Sequence, residues 1–142
     1  MLLMLLPEQL DRFWSQIRFA IESSFTPDVL DGQNILNNVL ESLLLGKMQA
    51  WFLTEDQDSI NAILLTSITS DSAVAGNVLT LYLLYAFEPT KQDWWEDGWK
   101  TMERFAASRK CTRVDAFSTN PAVIKKAEEF GWKSEYHLYK EL

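Results

Sequence analysis

A chain of 142 residues suits one domain, and 47% hydrophobic with 13% aromatic residues excludes a disordered polymer and calls for a substantial core. Twenty acidic against 13 basic residues give a net charge of −7, which repels phosphate backbones and argues against direct nucleic-acid binding; a basic protein surface is the better partner. One cysteine, Cys111, excludes an internal disulfide, fits a reducing cytoplasm, and reads as a buried structural thiol at the start of an apolar strand.

The opening MLLMLLPEQL has no basic leader, only six apolar residues in a row and no small-residue cleavage site. Nothing approaches the ~20 apolar residues of a membrane span, so secretion and membrane insertion are not expected and the opening reads as a short first strand. Pro7 then suits a helix start, and Leu10, Trp14, Ile17 and Ile21 recur at helical spacing, predicting an amphipathic helix over 8–23. Thr26 before Pro27 signals the next helix; Ile35, Val39 and Leu43 continue it, Gly46 stops it, and Gly32 is the expected break between a short turn and a longer helix.

Three strands follow, over 48–54, 60–69 and 78–87, joined by polar turns at 55–59 and 70–77 that predict antiparallel neighbours. The third, VLTLYLLYAF, is apolar throughout, as befits a central strand buried on both faces. The segment after it turns helical: Thr90 and Asp93 make a capping box, and Trp95, Trp99, Met102 and Ala106 form one stripe with Phe105 at its edge. Trp94 falls off that stripe and is the expected exposed aromatic contact, beside Glu96 and Asp97. A strand over 112–118, a helix over 121–130 and a last strand over 132–142 complete the chain. The order is β-α-α-β-β-β-α-β-α-β in a single domain over 1–142. With a parallel crossover between the strands at 78–87 and 112–118, it predicts an α/β (or α+β) fold: a mixed central sheet with helices on both faces.

That order, with NPAVIKKAEEFGW near the end, resembles the GNAT superfamily of acetyl-coenzyme-A-dependent N-acetyltransferases. The stretch is similar to the family's Asn-x-x-Ala-x-x-Leu-Tyr-Glu-x-x-Gly-Phe: Asn120, Glu128, Gly131 and Trp132 match, while Val123 stands for the Ala and Ala127 for the Tyr. Three further stretches, LPEQLDRFWSQIRFAIESS, LLLGKMQAWFLTED and WWEDGWKTMERFAASRKCTRVDAF, resemble the small GNAT-like proteins of tailed bacteriophages and prophages.

The resemblance implies three working parts: a helix N-terminus that cradles the coenzyme A pyrophosphate, a splayed central strand whose backbone aligns the thioester, and a general base, often with an acid for the thiolate. The family's phosphate loop, (Gln/Arg)-x-x-Gly-x-(Gly/Ala), falls here on Gln92, Trp95 and Asp97. Bulk and charge replace the glycines that let a backbone approach phosphate, and Asp93, Glu96 and Asp97 face a dianion with like charge. Ala127 has no proton to give.

Tyr136 and Tyr139 on the last strand either reach inward as an acid or, as the favoured reading, pack across strands, Tyr82 and Tyr85 are equally ambiguous, and His137 reads as a half-exposed strand residue. With one His and one Cys no metal site is expected. Glu88, at the end of the central strand, is the best-placed carboxylate for a base and also suits a solvated turn. Asn120 is a cofactor contact by resemblance and a helix cap by its place before Pro121.

The first reading is therefore a catalytically degenerate GNAT-like domain that binds no cofactor and acts through other proteins, such as phage structural proteins, in the virion or the host cytoplasm. Trp94, Glu96 and Asp97 lie on its expected contact surface. The alternative is an active acetyltransferase, with acetyl-coenzyme A held by the backbone of Leu84, Tyr85, Ala86 and Phe87 and by Gln92 and Asn120, and with Glu88 as base.

Overall fold

The computed structural model describes residues 1–56, 59–73 and 75–142, with side chains except at positions 31–33 and 71. The expected turns at 55–59 and 70–77 thus lie partly outside the described residues. The elements are β1 (Leu2–Met4), a 3-10 turn (Pro7–Gln9), α1 (Leu10–Ser24), α2 (Pro27–Gln33), α3 (Ile35–Leu44), β2 (Met48–Leu53), β3 (Ala62–Asp71), β4 (Gly76–Ala86), α4 (Gln92–Ser108), β5 (Cys111–Ala116) and α5 (Pro121–Glu129).

The strands form one sheet in chain order, antiparallel from β1 to β4, with β5 parallel to β4. Alternation along the strands splits the apolar residues between two faces. Ala50, Phe52, Ile63, Leu65 and Leu83 pack against α1 and α3 through Ile17, Ile21, Val39 and Leu43. Trp51, Leu53, Leu64 and Leu79 pack against α4 through Trp94, Met102 and Ala106. One polar chain is buried on the α4 face: Trp51 Nε1 donates to Thr66 Oγ1 (3.0 Å), which donates to Gln49 Oε1 (2.8 Å). It satisfies groups whose burial unpaired would be costly.

Four expectations are corrected. The break between α2 and α3 falls at Asn34, in the left-handed region (φ 51°, ψ 40°), and not at Gly32, since Asn tolerates that region and can end a helix as Gly does. The capping box at Thr90 and Asp93 does not form: α4 starts at Gln92, its N-cap is Lys91, and no side chain caps it. Cys111 is only half-buried, because β5 is the outer strand of the sheet. The last strand is absent. Residues 132–142 carry no regular structure, and Tyr136 (100%), Leu138 (90%) and Tyr139 (78%) are exposed, so the tyrosines make no cross-strand packing.

Candidate functional site at the open end of the central strand

The candidate site is built by a change of register. β3 pairs with β4 at Leu65↔Leu83 and next at Thr66↔Leu81, so Tyr82 is an extra residue on β4. Such a bulge bends the strand that carries it. The β4–β5 ladder ends at the same point, at Leu81↔Ala116, while β4 runs on to Ala86 paired with β3 alone. The two parallel strands thus part after Leu81.

Backbone alternation sets what the parted strand presents. The Phe87 N–H donates to the Asn61 carbonyl (2.9 Å), so Phe87, Tyr85 and Leu83 turn their peptide groups to β3. Those of Leu84 and Ala86 point the other way, to the side β5 has left. The Leu84 side chain is exposed, and the Phe87 ring, also partly exposed, stacks on Phe19 of α1 (6.1 Å between centroids) and meets Tyr85 edge-on (5.2 Å). Desolvation beside Phe25 pushes the Tyr82 hydroxyl above its ordinary pKa.

At the mouth of this opening the connection into α4 is tied down. Asn61 is buried; its Nδ2 donates to Glu88 Oε1 (2.9 Å), and its Oδ1 accepts from the Glu55 N–H (2.9 Å). The Glu55 carboxylate in turn accepts from Lys91 Nζ (2.9 Å) and from Trp94 Nε1 (2.8 Å). The Lys91 hydrogen bond, then the Trp94 one, holds the Glu55 carboxyl below its ordinary pKa, and the same Glu55 contact raises that of Lys91. Glu88 is therefore a clamp on the sheet end as well as an exposed carboxylate near the opening.

Trp94 is not the exposed contact expected of it. It is 7% exposed, belongs to the core cluster between α4 and the sheet, and lies under Lys91 (5.5 Å from Nζ to the ring centroid). The inner face of α4 is centred on Trp94, Met102 and Ala106, one residue round from the predicted stripe, which leaves Trp95 and Trp99 half-buried. Trp99 meets Trp132 at 5.3 Å, joining α4 to the exit of α5. Glu96 and Asp97 are exposed as expected; Glu96 accepts from Gln92 Nε2 (3.3 Å), and Asp97 lies 3.7 Å from the Met1 amino group.

The phosphate-loop positions Gln92, Trp95 and Asp97 all lie inside α4, in its first two turns. From the fifth residue onward the N–H groups of a helix are spent on its own carbonyls, and only the first turn is open to an anion. Lys91, the N-cap, pairs with Glu55, and Lys126 donates to Gln92 Oε1 in that turn and pairs with Glu129 (3.5 Å). Asn120 Oδ1 accepts from the Ala122 N–H (3.0 Å), so it caps α5. Ala127 is half-buried, and its carbonyl accepts from the N–H groups of Phe130 and Trp132. Leu84, Ala86, Phe87 and Glu88 thus gather at the opening, Gln92 is turned to α5, and Asn120 serves its own helix. The bulge at Tyr82 was missed; the uninterrupted apolar run of the strand gave no signal of it. Among the described residues no group of His, Cys, Asp or Glu is arranged to hold a metal ion, and no helix is long and apolar enough to cross a membrane.

By sequence, no family model and no curated protein matches the chain. By structure, it is similar over its whole length to N-acetyltransferases. A protein from Clostridium acetobutylicum described as a predicted acetyltransferase, solved with acetyl-CoA, superposes with a TM-score of 0.72 at 10% identity over 95% of that chain. The ribosomal-protein-alanine N-acetyltransferase of Brucella melitensis biovar Abortus gives 0.69 at 8% identity over 99% of its length. A GNAT family acetyltransferase of Staphylococcus aureus gives 0.67 at 10% over 97%. The mixed sheet, the parted strands and these superpositions agree: the chain has the GNAT fold.

Proposed function

We propose that this chain is a GNAT-fold protein that does not use acetyl-coenzyme A and acts through contacts with other proteins, as a component of a phage particle or of its assembly. The observation that carries the first half is the state of the phosphate-loop positions. Where the GNAT pattern has a glycine-bearing loop, this chain has two turns of continuous helix with Asp93, Glu96 and Asp97 on them. Lys91 and Lys126, the cations within reach, are committed to Glu55, Gln92 and Glu129. Ala127 supplies no acid. The acidic surface and the resemblance of three stretches to phage-encoded GNAT-like proteins support the second half.

Thermal unfolding with and without cofactor tests the first half. A ligand at 100 times its Kd stabilises by about 2.7 kcal/mol, so ~1 mM acetyl-CoA on a 10 µM site would shift Tm by several degrees. No shift is expected; a shift of that size overturns the reading. Mass spectrometry of purified particles of the encoding phage tests the second half. Peptides of this chain at structural-protein abundance are expected, and their absence from the particles, with the chain left in the soluble fraction, overturns the virion role.

One observation favours a second reading, an active acetyltransferase. The peptide groups of Leu84 and Ala86 face the gap left by β5, where they would polarise a thioester, with Glu88 or a water as base. Thiol release from acetyl-CoA with an amine present, lost on Glu88→Ala, would establish it.

A further inference from the structure

A second concavity lies at the end of the sheet opposite the opening at Leu84. β1 leaves the sheet there: the Leu5 N–H donates to the Ala50 carbonyl (2.8 Å), and Pro7 begins the 3-10 turn. α3 stops at Leu44, and Gly46, in the left-handed region (φ 76°), turns the chain into β2. Between these two connections and the end of α4 is a half-enclosed crevice of about 120 Å³. Leu10, Leu43, Met48 and Ala50 make its apolar wall, and Gln49 and Arg109 are its polar side chains. Among the described residues no carboxylate lines it, although the chain carries 20 acidic residues.

Both polar side chains offer donors. Thr66 Oγ1 accepts from Trp51 Nε1 and gives its own proton to Gln49 Oε1, which fixes the amide with Nε2 towards the crevice wall at Gly46. Gln49 is 8% exposed, so Nε2 is withdrawn from bulk water. Its one acceptor among the described residues is the Gly46 carbonyl at 3.4 Å, too long to be a strong bond. Arg109 has no carboxylate within ion-pair distance among the described residues, and its guanidinium rests 5.1 Å from the Phe105 ring centroid. A guanidinium and an amide N–H beside an apolar wall suit an anion that has an apolar end.

We propose that this crevice binds a small carboxylate with a short apolar tail. Gln49 Nε2 and Arg109 take the carboxylate, and Leu10, Leu43 and Met48 take the tail. An apolar cavity of about 150 Å³ holds benzene, so about 120 Å³ suits a tail of roughly five carbons. A cation would be repelled by the guanidinium, and an uncharged chain would leave both donors unanswered. The site lies at the far end of the sheet from the cofactor opening, so the proposal is independent of whether that opening works.

Amide NMR of the full chain, titrated with sodium hexanoate at fixed ionic strength, tests it. Saturable shifts are expected at residues 4–6, 43–50 and 109–110, with a Kd on the order of 1 mM, in keeping with so small a ligand. 1-Hexanol, the same length without the charge, should bind about tenfold more weakly. Arg109→Gln, at an exposed position just past α4, should keep the circular dichroism, weaken hexanoate about tenfold and leave hexanol unchanged. The hexanol comparison uses the parent chain and decides the matter even where the variant fails to fold. No saturable shift by about 20 mM hexanoate, shifts centred elsewhere, hexanol binding as tightly as hexanoate, or a folded Arg109→Gln chain that binds hexanoate unchanged overturns the inference.

Discussion

Trp94→Ala separates a core residue from a surface contact. The indole is 7% exposed and packs in the cluster with Leu53, Leu64 and Met102; its Nε1 donates to Glu55 at 2.8 Å. Truncating a buried Trp to Ala costs about 3–5 kcal/mol, the transfer of the lost atoms plus the cavity they leave. For a chain of this size each kcal/mol moves Tm by roughly 3 °C, so Tm should fall by about 10–15 °C. Urea unfolding followed by far-UV circular dichroism reads the same quantity as a lower midpoint with unchanged slope. Trp94→Phe keeps most of the apolar contact, loses only the hydrogen bond to Glu55, and should cost about 1 kcal/mol. A Trp94→Ala variant within ~0.5 kcal/mol of the parent, as expected of a surface residue, would refute the placement of this helix face.

Three other outcomes follow from the same contacts. Thr66→Val deprives Trp51 Nε1 of its acceptor and Gln49 of its donor in a buried chain, and should cost about 2–4 kcal/mol in urea unfolding; a neutral result would dissolve that network. Asn120→Ala removes the cap on the Ala122 N–H and should cost about 0.5–2 kcal/mol, seen as faster amide exchange in the first turn of α5; unchanged exchange there would count against the cap. Because the folded-state pKa of Glu55 is lowered, its contribution is fully present above its unfolded value near ~4.3 and is lost as pH falls through the lower folded value. Tm of the parent should therefore fall more steeply than that of Glu55→Gln below about pH 4.5, and parallel curves would remove Glu55 from the account.

Most of the fold was legible because hydrophobic period and punctuation agreed along the chain. Pro7, Pro27 and Pro121 mark helix starts, and the apolar run at 78–87 marks the strand β4, but not one buried on both faces: Leu79 and Leu83 are buried while Tyr82, Leu84 and Phe87 are exposed, because β5 covers only its first part. The phase of α4 was not legible. Trp94, Trp95 and Trp99 admit two stripes that share Met102 and Ala106, and Gly98, on the inner one, offers no side chain to decide between them. The strand expected at 132–142 failed for another reason: alternation shows that a segment is fit to pair, and not that its own sheet pairs with it. At the site, Glu88 was found from its place at the strand end, but its clamp through Asn61 to Glu55 joins residues far apart in sequence. The cap that Asn120 places on α5, expected from its position before Pro121, is present as a single bond from the Ala122 N–H.

Titration calorimetry of the full chain with acetyl-CoA addresses the central claim most directly. A helix in place of the glycine loop, with Lys91 and Lys126 already paired, predicts no saturable heat up to about 1 mM, a free energy weaker than roughly −4 kcal/mol. A one-to-one isotherm with a Kd near 1–10 µM, about −7 to −8 kcal/mol, would contradict it and return the chain to the active acetyltransferases.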